Sequence, residues 1–134
     1  MKRFLLAFAI LGLSGCSTLS DLNPFPAPFD PVELGYLADA RFLTTKVYAS
    51  CGTDDTPGYA HGVLEQIQRA QIYSKYIPSN KEVIDAEGIL IKLSTELTTR
   101  IDSKSYSVTY CHLKANEIGS ALDDLNKVLG EKKR

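Results

Sequence analysis

The sequence predicts an all-α protein, an up-down-up-down four-helix bundle. Four successive stretches repeat apolar residues at steps of three and four, and each starts at a capping residue or proline and stops at glycine, proline or a polar turn. No stretch alternates apolar and polar residues with β-branched enrichment over a strand's length, so no sheet is expected. The first helix opens at Asp30-Pro31, an N-cap side chain followed by a residue suited to the first turn. It runs to about Cys51, stops at Gly52, and carries Tyr36/Leu37, Ala40, Leu43/Thr44, Val47 and Cys51 on its main stripe. Turn residues 52–56 follow, and Thr56-Pro57 starts the second helix, with Ala60, Val63, Ile67, Ala70, Tyr73 and Ile77 facing inward until Pro78. Ser79 or Asn80 caps the third, which aligns Val83, Ala86, Leu90, Leu93, Leu97 and Ile101 before a break over residues 102–105. The fourth has the cleanest repeat: Val108, Cys111, Ala115, Ile118, Leu122, Leu125 and Leu129. Steps alternating three and four are those of a seam packed near-parallel to its neighbours, and short connections make sequential helices antiparallel.

The bundle is expected over residues 31–130, with a charged tail over 131–134. Fifteen Lys+Arg against sixteen Asp+Glu leave a charge of -1, and 44% of residues are hydrophobic. That balance excludes a disordered acidic chain and gives no support to nucleic-acid binding, so no nucleic-acid partner is expected. Lys2 and Arg3 precede an apolar run from Phe4 to Leu13, too short for a permanent span, so residues 1–15 read as a cleaved signal peptide. The Leu13-Ser14-Gly15-Cys16 that ends it resembles the lipobox of bacterial lipoproteins. The resemblance implies that Cys16 becomes the first mature residue and carries acyl chains, which tether the chain to a bilayer without spanning it. Ser17 stands where lipoproteins retained in the inner membrane usually have Asp, which implies the periplasmic face of the outer membrane. Residues 16–30 form the lipidated cysteine and a linker in which Pro24, Pro26 and Pro28 favour an extended polyproline course. Phe25 and Phe29, the aromatic groups of that linker, either dip into the lipid interface or pack back on the bundle.

With Cys16 lipidated, Cys51 and Cys111 remain as an even pair in an oxidising compartment. In an up-down-up-down bundle the end of the first helix and the start of the fourth lie at the same end on adjacent helices. A disulfide between the first and last helices is therefore expected. The competing reading is a metal site that adds His61 and His112, but Cys111 and His112 diverge by about 100° on a helix and the spacing matches no zinc finger. No metal and no cofactor is expected.

The sequence has no Gly-rich phosphate loop, no Gly-x-Ser-x-Gly and no His-Glu-x-x-His. Asp123 and Asp124 are neighbours on a helix and do not converge, so no catalytic pair and no enzyme is expected.

Two helices are apolar beyond what one core requires. Gly35, Ala38, Phe42, Thr45 and Ala49 cluster off the main stripe of the first helix, and Ile84, Gly88, Ile91, Thr95 and Thr98 form a second line on the third. Either both faces are internal, as in small bundles that bury wide arcs, or they join into an exposed groove for an amphipathic partner helix.

Leu37-Ala-Asp-Ala-Arg-Phe-Leu43 followed by Cys51-Gly-Thr-Asp-Asp-Thr-Pro57, with Tyr110-Cys111-His-Leu-Lys-Ala-Asn116, Leu122 and Leu125, resembles the helical-bundle pilotins of type II secretion systems. The similarity spans nearly all of residues 31–129 and is thin outside those patches; the Pro-rich linker and the Thr-rich third helix with Gly88 depart from it. It implies a cysteine bridge between first and fourth helices and a non-enzymatic escort. Such an escort binds the C-terminal segment of a secretin, uses the lipoprotein-sorting machinery, and reaches the outer membrane through its acyl chains. Val32, Phe42, Ile84 and Ile91 are the candidate groove contacts. The alternative is a structural or exclusion lipoprotein that contacts another envelope protein, with no secretin involved.

Overall fold

A computed structural model describes residues 27–132. Cys16, Phe25 and the signal-peptide reading lie outside the described residues, as do the last two residues of the charged tail. The described chain folds into four helices and no strand: α1 (Pro31–Ser50), α2 (Thr56–Ser74), α3 (Lys81–Asp102) and α4 (Val108–Gly130). Each helix packs on its neighbours in the cyclic order α1–α2–α3–α4, and no Cα atoms of a diagonal pair come within 8 Å of each other. The α3–α4 seam is the sparsest of the four. We call the end holding the starts of α1 and α3 the base, and the other end the top.

The Asp30 carboxylate caps α1, accepting from the backbone N–H of Val32 (2.8 Å) and Glu33 (3.2 Å). Such a cap stabilises a helix by ~1 kcal/mol. The turn after α1 places Gly52 at φ +87°, and a Cβ there would lie 2.8 Å from Cγ2 of Val108. Val108 therefore covers the Gly52 turn and is largely exposed, a correction to its expected place on the core stripe. Because both backbone conformation and space demand glycine, Gly52→Ala should lower stability by about 1–2 kcal/mol. Chemical denaturation checks this as a shifted midpoint at constant slope.

Thr56 is buried, and its hydroxyl donates to the Ser50 carbonyl at the end of α1, which also accepts from the backbone N–H (2.9 Å) and the hydroxyl (2.8 Å) of Thr53. Asn80 is the N-cap residue of α3, but its side chain does not cap; its Nδ2 donates instead to Glu33. Ser107 caps α4 by accepting from the Tyr110 N–H at 3.0 Å.

Leu37, Val47, Ile67, Leu97, Ile118 and Leu122 fill the centre of the bundle, essentially without exposure. Each such burial contributes roughly 1.5–3 kcal/mol. At the base the apolar stripes are interrupted. Ser74 is buried where Tyr73 and Ile77 were expected to face inward, and both of those are only half-buried. Ala27, at the start of the described residues, is also buried.

Cys51 and Cys111 are disulfide-bonded, with Cα atoms 5.8 Å apart and 60 residues of sequence between them. The expected bridge between the bodies of the first and last helices needs correcting. The first helix ends at Ser50, because the chain turns there to reach the Gly52 bend. Cys51 is the residue that follows it, so the bridge ties the α1–α2 turn to the first turns of α4.

Candidate functional site

A surface cleft of about 200 Å³ lies between α1 and α4, lined by Arg41, Thr44, Thr45, Tyr48, Ala115, Asn116 and Gly119. Small side chains make the space. Gly119 is buried against the Arg41 guanidinium and the Thr44 methyl, each 3.5 Å from where its Cβ would stand. Thr44 gives its hydroxyl to the Ala40 carbonyl within its own helix and so shows the cleft a methyl. The rim is polar at one point and aromatic elsewhere. Arg41 Nε donates to Asp123 at 2.7 Å, and this hydrogen bond raises the guanidinium's pKa. Tyr48 stacks on the His112 ring, with centroids 4.4 Å apart.

Phe42 stands one turn before Thr45 on this side of α1 and is 60% exposed, its ring meeting only the Lys46 ammonium at 5.1 Å among the ring contacts described. Phe42 is not among the residues that line the cleft; as an exposed phenylalanine one turn from Thr45, which does line it, it is a candidate apolar anchor for a partner helix.

The four sequence-predicted groove residues do not share one face. Val32 is exposed near the base of α1. Ile84 and Ile91 lie on α3, diagonal to α1. Both isoleucines are half-buried; the Ile84 carbonyl accepts from Gln71 Nε2 of α2 at 3.3 Å, and Ile91 packs against the core. The second apolar line of α3 is thus turned largely toward α2, while that of α1 stays outside. Small residues of α4, Ala115 and Gly119, supply what the third helix was expected to supply. Their signal in the sequence is a spacing of four, one turn apart on the seam.

The histidines do not converge. His61 Nε2 lies 3.0 Å from the Asp102 carboxylate, and His112 is taken by Tyr48. No group of three or more His, Cys, Asp or Glu among the described residues could hold a metal ion. Asp123 is paired across the α1–α4 interface while Asp124 is exposed, so the two do not act on one point. No helix among the described residues is long and apolar enough to cross a membrane.

A second constellation, which sequence periodicity missed, sits inside the base. Glu33 of α1 and Glu87 of α3 are both at 0% exposure. The Ser74 hydroxyl of α2 stands between them, 2.6 Å from Glu33 Oε1 and 2.8 Å from Glu87 Oε1. Asn80 donates to Glu33 Oε1, and Lys132, beyond the end of α4, sets its ammonium 3.0 Å from Asn80 Oδ1 and 3.8 Å from Glu33 Oε2. Burial pushes the Glu87 carboxyl up to about 7, reinforced by the Glu33 charge and opposed by Ser74 and Lys132.

No protein-family model, no curated protein and no solved structure matches this chain.

Proposed function

We propose that this protein is a lipid-anchored periplasmic binding module of the pilotin kind. It takes the C-terminal segment of a type II secretion secretin as a helix and, through its acyl chains and the lipoprotein-sorting machinery, escorts it to the outer membrane for assembly. The observation that supports this reading is the α1–α4 cleft, floored by Thr44, Ala115 and Gly119, with the exposed Phe42 on the outer face of α1, one turn from Thr45 of the lining. An amphipathic helix laid there would place a small-residue face on Gly119 and an apolar anchor against Phe42. Such a tail, unstructured when free, loses conformational freedom on docking, so apolar contacts have to supply the affinity. The lipobox-like Leu13-Ser14-Gly15-Cys16 supports the tether.

The test is a pull-down of the tagged full-length protein in detergent against the secretin C-terminal segment, with Phe42→Asp alongside. Retention by the wild type and at least roughly tenfold weaker binding by the variant are expected, since an anchor at an interface centre contributes more than 1.4 kcal/mol. Absence of retention, or equal binding by both, overturns the secretin reading. A structural lipoprotein contacting another envelope protein would then take its place.

A further inference from the structure

The buried base of the bundle carries more hydrogen-bond acceptors than donors, and the count decides a protonation state. A serine hydroxyl has one proton. Ser74 Oγ nevertheless lies within hydrogen-bond distance of a carboxylate oxygen on each side, at 2.6 Å and 2.8 Å. If both carboxyls were ionised, one of these contacts would set oxygen lone pairs against each other at hydrogen-bond distance. One extra proton resolves it: a carboxylic acid donates to Ser74, and Ser74 donates to the opposite carboxylate.

The surroundings say which is which. The second oxygens of Glu33 and Glu87 both lack a hydrogen-bond partner among the described residues, but Glu33 alone accepts from Asn80 as well as Ser74 and faces the Lys132 ammonium at 3.8 Å, which makes Glu33 the better seat for the negative charge. Glu87 has Ser74 as its hydrogen-bond partner and a second oxygen without one among the described residues. We infer that Glu87, Ser74 and Glu33 form a one-proton latch across α1, α2 and α3, which closes the base of the bundle when Glu87 is protonated and loosens it when that proton leaves.

Every helix contributes to the site. From α1 come Glu33 and, at its cap, Asp30, which accepts from the Tyr73 hydroxyl of α2 at 3.1 Å. From α2 come Ser74 and Tyr73; the hydrogen bond to Asp30 raises the tyrosine pKa, so Tyr73 stays neutral through the range that matters. From α3 come Asn80 and Glu87, and from the end of α4 comes Lys132, whose side chain is 7% exposed. When Glu87 ionises, the latch proton departs to solvent and two negative charges flank one hydroxyl, with Lys132 as the cation beside them. Repulsion between the first turns of α1 and α3 then works against the closed base.

The sign follows from linkage. The Glu87 carboxyl binds its proton more tightly folded, at about 7, than at the ordinary 4.5. The folded state therefore holds more protons than the unfolded state between those values, and stability falls as pH rises through that window. The full-length protein should lose several tens of fold in its folding equilibrium constant between pH 5 and 8, since each pH step inside the window changes that constant by up to about tenfold. In Glu87→Gln, where the amide donates to Ser74 without titrating, that dependence should flatten. Denaturant titrations across pH read both proteins, and infrared difference spectra of the wild type read the protonated-carboxyl band directly. The expected band persists at pH 6, disappears above pH 8, and is absent from Glu87→Gln. A wild type with no such band at pH 6 overturns the latch, and so does a folded Glu87→Gln that keeps the wild-type pH dependence. Should Glu87→Gln not fold, the wild-type band alone decides. The readouts involve no partner, so they stand or fall apart from the secretin reading.

Discussion

Replacing Cys51 by serine and Cys111 by alanine together should lower the unfolding free energy by roughly 4 kcal/mol. The bridge closes a loop of 60 residues, and it is the closure of so long a loop in the unfolded chain that makes the effect large. Alanine suits position 111, which has no exposure, whereas Cys51 is half-buried in a turn where a hydroxyl is tolerated. A bundle of about a hundred residues has a total stability of only ~5–15 kcal/mol, so the variant should unfold at a markedly lower denaturant concentration. Adding a reductant to the wild type should reproduce the variant's midpoint, and a midpoint indifferent to reductant contradicts the bridge.

Ser74→Ala should be the next most damaging change, at about 3 kcal/mol. The substitution removes the hydroxyl that serves both buried carboxyls and leaves Glu87 with no hydrogen-bond partner among the described residues. Leaving a buried polar group unsatisfied costs ~1–3 kcal/mol, and hydrogen bonds to a charged group are at the strong end. Ser120→Ala, on an exposed face of the same bundle, is the control and should stay within about 0.5 kcal/mol of the wild type. Urea denaturation at pH 6 separates the two, and equal midpoints would mean that the serine does not hold the base together.

The helices were legible in the sequence because their boundaries are written in local chemistry. Asp30-Pro31 caps and opens α1, Gly52 supplies a conformation that other residues adopt only with strain, and the seam from Cys111 to Leu129 keeps its period throughout α4. The basal cluster was not legible for the opposite reason. Glu33 lies four residues before Leu37, Ser74 four after Ala70, and Glu87 between Val83 and Leu90, so all three sit in phase with the core. A reading that follows apolar residues passes over them as surface, and their partnership spans 41 and 13 residues of sequence, beyond any local pattern. The groove was half legible. Phe42 is outside, as one of the two open readings allowed, but a groove joining the faces of α1 and α3 conflicts with the bundle order itself, which sets these helices diagonally. Only the pairing of all four helices turns Gly88 toward Gln71 of α2 and brings Gly119 beside Thr44.

The sparse seam between α3 and α4 bears on how the bundle breathes. The fourth helix is clasped along its length by α1 and pinned at the top by the disulfide; its edge with α3 is sparser, and Lys132 crosses that edge at the base to reach Asn80. Glu96 bridges that edge near the top, reaching Lys114 at 3.5 Å and accepting from the Tyr110 hydroxyl at 3.2 Å. Local opening is therefore expected first along the middle of this edge, between the clasps at Asn80 and Glu96, rather than along the closely packed α1–α2 seam.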